Sequence, residues 1–397
     1  MRILLLNQFF WPDAAATGQL LTDVARELAT RGCSVTAVCG ASPYAQSSGT
    51  GAPPVAILRA PSLPFRRTTA GRLLSYFTFL AAAAWHGLRI PKPDAILTLT
   101  TPPGLPVLGA LLARLRGARH TIWEMDVYPD VAIALGVLPA RSLLTRALRY
   151  ALDLPRRHAA GIITLGECMA ERLAARGAPP AKIHVAENWA DGAKIRPAPF
   201  PSGPLTVLYS GNLGLAHEVH TVRDAILRLR SDDRFRFVFA GGGPARDALE
   251  RFCRDHGLHR VSFRPYCDLP ALGRTLAQGH LGLVTQKSET LGCVVPSKVY
   301  GIMAAGRPVL FIGPRDATPA RILRKFRCGW HIDCRDVDGL IALLDRLARQ
   351  PDELRAAGAR ARAAFEEHYD LPEGAGRICE ILGLQAQEHV LARVVGA

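Results

Sequence analysis

The chain has no paired cysteine motif. It holds nine cysteines in 397 residues, an odd number, and no two are spaced Cys-x-x-Cys. This excludes the common zinc and dithiol sites and reads as scattered thiols in a reducing compartment. Lysine is scarce, six of the 49 basic residues. No apolar run reaches the ~20 residues that cross a bilayer. The nearest, Leu73 to Leu88, has His86 inside it. Met1 to Leu6 is strand-like and closed by Asn7, too short for a signal-peptide core with its cleavage site. The first β–α turn lacks Gly-x-Gly-x-x-Gly, and no acidic residue follows the second strand, which argues against a dinucleotide dehydrogenase. Helix-turn-helix, zinc-finger and RNA-binding signatures are missing too, so no nucleic-acid partner is expected.

What is present is apolar and basic. Hydrophobic residues make up 49% and charged ones 21%, which indicates globular domains, and the length favours two of them. The net charge is +15 and uneven: residues 1–200 carry 22 lysines and arginines against 12 acidic residues, the remainder 27 against 22. A basic N-terminal half suits an anionic membrane surface, or it reflects arginine-rich base composition. The basic flank Pro64 to Arg72, with Arg66, Arg67 and Arg72, leads into the Leu73–Leu88 helix. That pairing fits interfacial docking or an ordinary buried helix with a charged entry.

Strand-like runs alternate with helical ones throughout. Arg2–Asn7, a loop, a helix from Gly18 to Arg31 with Thr17 as N-cap, and Ser34–Cys39 open a doubly wound domain. Residues 41–54 read as a Ser/Gly/Pro-rich loop. A strand at His120–Met125 ends in Glu-Met-Asp-Val-Tyr-Pro-Asp. Carboxylates at the carboxyl end of a strand are placed for chemistry, so Asp126 and then Glu124 are candidate catalytic residues; the alternative is that one caps the next helix. A basic helix covers Ala140–Leu154. Four prolines between Pro197 and Pro204 mark a linker.

The second half repeats the theme. Leu205–Tyr209 leads into Ser-Gly-Asn-Leu-Gly at 210–214, and Phe235–Ala240 into Gly241-Gly-Gly-Pro244. Leu281–Thr285 leads into Ser288–Pro314, where Val-Pro-Ser-Lys at 295–298 opens a helix bearing Ala304, Ala305 and Gly306. Such turns let backbone N–H groups approach a diphosphate, and Lys298 adds positive charge. The candidate ligand-binding residues in this half are Gly211, Asn212, Gly214, His217, Gly242, Gly243, Tyr266, Gly292, Val294, Val295, Ser297 and Lys298, and Thr17 and Gly18 in the first domain's small-residue loop are a further candidate contact to phosphate or substrate. Helices are expected through Arg321, at 337–349 and 351–368, and from Leu371 to Val394.

The run Val-Pro-Ser-Lys-Val-Tyr-Gly-Ile-Met-Ala-Ala-Gly-Arg-Pro-Val-Leu, with the glycine turns, Asn-Trp-x-Asp at 188–191 and the Asp-aromatic-Pro pattern after Asp126, resembles glycosyltransferase family 4 of the GT-B superfamily, in its WbuB-like branch. The resemblance implies two Rossmann-like doubly wound domains facing across a cleft: 1–196 on the acceptor side, 204–373 for the nucleotide sugar, and a C-terminal helix, 374–397, packing back on the first. It implies a retaining hexosyl- or N-acetylaminosugar-type transferase. The donor would be a UDP- or GDP-linked sugar, UDP favoured. The acceptor would be a polyprenyl-diphosphate-linked saccharide at the inner membrane, in exopolysaccharide or O-antigen assembly, for an enzyme in the cytoplasm held peripherally to that membrane. It implies neither cofactor nor metal, and no Asp-x-Asp motif of the metal-dependent transferases is expected in the chain. Lys298 would hold the leaving diphosphate, with Asp126 orienting the acceptor hydroxyl or assisting as base. Two family positions differ. Cys293 and Gly301 stand where two glutamates are usual, the second holding the ribose, and Glu289 is the candidate substitute. Ala216 and His217 stand where a phosphate-binding Arg/Lys pair is common. A nucleotide-sugar 2-epimerase, which turns over without acceptor, and a catalytically silent nucleotide-sugar-binding protein are the alternatives.

Overall fold

Short apolar runs build the two sheets. In the computed structural model, which describes residues 1–13, 15–41, 51–63 and 69–384, Leu4, Leu5 and Leu6 are all fully buried. Such a run, without polar alternation, belongs to a parallel strand covered on both faces. The first domain contains β1 (Arg2–Leu6), α1 (Ala16–Thr30), β2 (Ser34–Gly40), β3 (Ala56–Ala60), α2 (Thr69–Arg89), β4 (Ala95–Thr98), α3 (Leu105–Arg116), β5 (Arg119–Trp123), α4 (Asp130–Ala134), α5 (Leu143–His158), β6 (Gly161–Thr164), α6 (Glu167–Ala175) and β7 (Ile183–Val185). The second contains β8 (Leu205–Asn212), α7 (His220–Arg228), β9 (Phe235–Gly242), α8 (Pro244–Asp255), β10 (Val261–Arg264), α9 (Leu272–Leu276), β11 (Leu281–Thr285), α10 (Lys298–Ala304), β12 (Val309–Ile312), α11 (Thr318–Phe326), β13 (Gly329–Ile332), α12 (Val337–Arg349), α13 (Pro351–His368) and α14 (Leu371–Ile381).

The first sheet runs β3-β2-β1-β4-β5-β6-β7 and the second β10-β9-β8-β11-β12-β13. The paired strands are parallel. Strand order reverses direction between β1 and β4, and again between β8 and β11. Ligands of open α/β sheets bind at the carboxyl ends of strands at such points. Each sheet has a core on both faces: β1 sends Ile3 and Leu5 into one and Leu4 and Leu6 into the other. The helix α14 crosses back, and Ala375, Ile378 and Cys379 join the first domain's core beside α1. Two segments cross between domains side by side. Ala190 bridges Asp370, and Gly192 N–H donates to the Asp370 carboxylate at 2.9 Å.

Several expectations are corrected. Thr17 is not an N-cap: α1 starts two residues earlier than expected, at Ala16 after Ala15, with no side-chain cap. The basic helix runs past Leu154 to His158 with Pro155 inside it. Ala305 and Gly306 lie just beyond α10. The strand β13 was not anticipated, because its four residues, Gly-Trp-His-Ile, carry no two-residue polar alternation. Most of the 41–54 loop, residues 64–68 with Arg66 and Arg67, the Arg72 side chain, and residues 385–397 fall outside the described parts.

Candidate active site

The second domain's wall of the cleft is built from glycine turns. β8 and β9 stay paired to their ends, Gly211 opposite Gly241 and Asn212 opposite Gly242. Gly211, Gly241 and Gly243 have φ of 126°, 124° and 116°, a region closed to most side chains. A Cβ on Gly241 would lie 2.1 Å from the Gly211 carbonyl oxygen, and one on Gly243 2.4 Å from Asn212 Oδ1. The ring of Tyr266 covers Gly242, 3.0 Å from where a Cβ would be, while its outer face is exposed. Gly214 follows beside the Asn212 amide.

Lys298 reaches into this turn from α10. Its Cε would meet a Gly211 Cβ at 2.7 Å, and its Nζ is 5.3 Å from the centre of the Tyr209 ring. Among the described residues no carboxylate pairs with it. Burial lowers its pKa to about 8, because charge is disfavoured away from water. His217 is neutral: burial, then the Lys298 charge, push its pKa to about 3. In the neutral ring Nδ1 donates to the Thr285 carbonyl at 2.9 Å, which leaves Nε2 unprotonated, 3.4 Å from a Tyr209 hydroxyl that itself donates to the Asn212 carbonyl at 2.7 Å. The helix after this turn is not a free anion site. The Glu218 carboxylate already accepts from the N–H groups of His220 at 2.9 Å and Thr221 at 3.2 Å.

The loop before α10 divides its work. Ser297 lines the cleft and caps nothing with its hydroxyl. Gly292, Val294 and Val295, expected among the donor contacts, sit instead in the seam between domains. A Cβ on Gly292 would be 2.5 Å from the Cys168 carbonyl oxygen. Arg172 donates from Nε and Nη2 to the Leu291 carbonyl, at 3.0 and 2.8 Å. Val294 bridges Asp126, and Val127 N–H donates to Cys293 O at 2.8 Å. Val295 belongs to the first domain's core. Glu289 is exposed on a single 3-10 turn and is not among the residues that line the hinge cavity described below.

The first domain's wall carries carboxylates. Asp126 is half-buried at that seam, and its N–H and that of Met125 both donate to Thr100 Oγ1 at 3.2 Å. Burial, reinforced by the Glu124 charge, raises the Asp126 pKa to about 6. Glu124 is corrected from catalytic to structural. It is fully buried, and Arg156 grips both its oxygens, at 2.6 and 3.1 Å. A carboxylate so held neither reaches a substrate nor gives up its partner cheaply. The chain of charges continues through Asp153 to Arg176, and on to Asp130, which also meets Arg149 and Arg172. Asp130 opens α4 with no capping bond. Thr17 and Gly18 are not among the residues that line the hinge cavity described below; their neighbours Ala16 and Gln19 are. Gly18 lets α1 approach the Phe9–Phe10 backbone, 3.2 Å from a Cβ.

Between the walls, at the hinge, lies a cavity of about 290 Å³. Ser210, Ser297, Lys298 and Gly301 line it from the second domain, and Asp23, Arg26, Asn188, Trp189 and Lys194 from the other side. Asp126 is not among its lining residues. Asp23 was missed by sequence reasoning, since an acid in mid-helix looks like a solvated face. Burial raises its pKa to about 6 against the Trp189 hydrogen bond. The Asn-Trp-x-Asp pattern was the available signal for the hinge side. One Asp-x-Asp does occur, Asp336 to Asp338, but it opens α12. Asp336 caps Gly339 N–H at 2.8 Å and Asp338 pairs with Arg228. No cluster of three metal-binding side chains occurs among the described residues.

Residues 16–189 match the family model described as glycosyl transferase 4-like domain, and residues 192–364 that described as glycosyl transferases group 1. The probable glycosyltransferase WbjE of Pseudomonas aeruginosa is 25% identical over 321 residues, covering 77% of this chain and 79% of that one. The putative colanic acid biosynthesis glycosyl transferase WcaI of Escherichia coli K12 is 29% identical over 252 residues, 58% of this chain and 59% of that one. Among solved structures, Anabaena HepE in complex with UDP superposes with TM-score 0.71 at 16% identity, over 96% of this chain and all 100% of the other. WaaG, a glycosyltransferase involved in lipopolysaccharide biosynthesis, superposes with TM-score 0.70 at 15% identity, over 96% and 100%. At such identities the likeness is one of fold, and the fold is GT-B.

Proposed function

The chain belongs to the family 4 glycosyltransferases of the GT-B superfamily, and on that premise we propose that it moves a sugar, with retention of configuration, from a nucleotide-diphosphate sugar to a polyprenyl-diphosphate-linked saccharide. The observation that carries this reading is Lys298: a desolvated ammonium without a carboxylate partner among the described residues, lying against the glycine turn at Gly211. A diphosphate is the chemistry such a place takes. UDP is favoured over GDP because HepE, a structural neighbour, binds UDP. Surface-polysaccharide assembly is favoured by the name of WcaI, a putative colanic acid biosynthesis glycosyl transferase.

In the transfer the bond between the anomeric carbon and the leaving diphosphate breaks, and a bond to the acceptor oxygen forms on the same face. The acceptor's proton passes to the departing diphosphate. Charge therefore grows on the leaving oxygen, and Lys298 stabilises it where water does not compete. Neutral His217 adds no competing charge beside it. Asp126, at the seam four residues from Lys298 through its Val294 bridge, orients the acceptor hydroxyl.

The outer face of the first domain supports docking at an anionic inner-membrane surface from the cytoplasmic side. Phe77 is 72% exposed on α2, Leu115 61% on α3 and Leu143 79% on α5. The helices α2 and α3 touch, as do α3 and α5. No acidic residue occurs from 28 to 93, none occurs on α3, and the one on α5, Asp153, is paired. An apolar plateau free of negative charge suits an interface rich in anionic lipid. No helix among the described residues is long and apolar enough to cross a membrane.

The test is calorimetric titration of the full chain with UDP and with GDP, beside Lys298→Ala. One diphosphate should bind, and the variant should lose at least about tenfold in affinity, the effect of one charge-assisted hydrogen bond. Failure of the wild type to bind either would overturn the reading.

A further inference from the structure

A second cavity lies at the edge of the second domain's sheet, where β13 is the last strand. Its volume is about 320 Å³, a size that takes a small molecule. Arg324 and Arg327 line it around the end of α11, Trp330 from β13, and Glu353 and Arg360 from α13. Gly329, also in its wall, pairs with Val309, the first residue of β12. The cavity is therefore at the amino end of the parallel strands, whereas Lys298 and the glycine turns are at the carboxyl end. Three guanidinium groups meet here, and none has a carboxylate partner among the described residues. Arg360 Nε donates to the Arg327 carbonyl and Arg324 Nη1 to the Arg315 carbonyl, both at 2.7 Å. These bonds anchor two of the side chains and leave their other N–H groups free among the described residues. The one acid in the wall, Glu353, is held by Arg346 at 3.3 Å. Neighbouring arginines on α13 are paired, Arg355 with Asp352 at 2.8 Å and Arg362 with Glu366 at 2.7 Å. Arg327 has a φ of 50°, a left-handed conformation that a residue other than glycine adopts at a cost.

We propose that this cavity binds a phosphate monoester carried on a ring, a sugar phosphate or a nucleotide, at a site separate from the cleft. Three cations on one concave wall repel one another and draw in an anion. The planar guanidinium presents paired N–H donors that match phosphate oxygens. Trp330, half-buried beside them, offers a flat apolar face against which a sugar or a base lies. His331 is in the wall as well, with Nε2 donating to the Gly313 carbonyl at 2.7 Å, so the phosphate belongs to the arginines.

The experiment titrates the full chain by calorimetry, at constant ionic strength, with inorganic phosphate, glucose 1-phosphate and uridine monophosphate. Wild type is compared with Lys298→Ala, with Arg327→Gly joined to Arg360→Ala, and with Trp330→Ala. Glycine suits the left-handed backbone at 327, both arginines are exposed, and melting midpoints verify folding. Inorganic phosphate and at least one ester should bind Lys298→Ala as they bind wild type. The arginine variant should lose about tenfold or more for each probe that binds. Trp330→Ala should weaken the ester several-fold and leave inorganic phosphate unchanged. The tighter ester tells whether the ring is a sugar or a base. Four results would overturn the site: no probe bound by wild type, affinity lost in Lys298→Ala but not in the arginine variant, equal affinities in all variants, or esters bound no better than inorganic phosphate. The arginine variant keeps Lys298, so none of these results depends on the donor reading.

Discussion

The two domains share a fold but equip their surfaces differently. The second offers the cleft mostly backbone: glycine turns, one lysine, one neutral histidine. Its outer helices carry paired charges, as in Arg246–Glu250 at 2.6 Å, Arg349–Asp345 at 2.8 Å and Arg362–Glu366 at 2.7 Å. The first keeps behind its wall buried carboxylates, Glu124 and Asp130, braced by arginines from α5 and α6, and its outer helices α2 and α3 have no acid to pair with. A diphosphate needs N–H donors and charge, which short local turns supply. A face without acids is free to meet a negative surface.

Three measurements press on that contrast. The largest effect is expected where the first domain's network is cut. Arg156→Met should leave Glu124 charged and unpaired in the core and cost about 3–5 kcal/mol of stability, read by urea unfolding of the full chain; a loss below roughly 1 kcal/mol would mean that Glu124 finds another partner or protonates. An intermediate effect is the pH profile. Burial raises Asp126, so its carboxylate form is present above about pH 6. Burial lowers Lys298, so its cation is present below about pH 8. Transfer should rise through the first value and fall through the second, and Asp126→Asn should remove only the acidic limb. A profile flat from pH 5 to 9 would contradict both roles. The smallest effect is at the outer face. Leu143→Glu with Leu144→Glu should reduce co-sedimentation with anionic vesicles several-fold, by removing apolar contact and adding repulsion. Stability should move by no more than about 0.5 kcal/mol, as at other exposed sites. Equal sedimentation of variant and wild type would remove this face from consideration.

The same contrast explains which residues could be read from the chain. Gly211, Gly242, Gly243 and Lys298 were found because a glycine turn between strand and helix is a local signal, and the structure brings them together with His217 and Tyr266. Gly292 and Val295 look alike in sequence but face the other domain, since their surroundings come from α6 and from the first core. Glu124 and Asp126, two residues apart, looked equivalent. Only Arg156, thirty-two residues later, makes one of them structural. Asp23 and Asn188 share a cavity that exists because two crossing segments form a hinge.

By itself the sequence determined the order of strands and helices, the two-domain α/β plan and the glycine turns, because these depend on apolar runs and on backbone freedom within a few residues. Tertiary structure alone decided which carboxylate is bound and which is available, that Glu218 closes the first helix N-terminus of the second domain, and that Gly301 and Asn188 line one cavity. These are matters of burial and pairing between residues far apart in the chain, and no local pattern encodes who the partner will be.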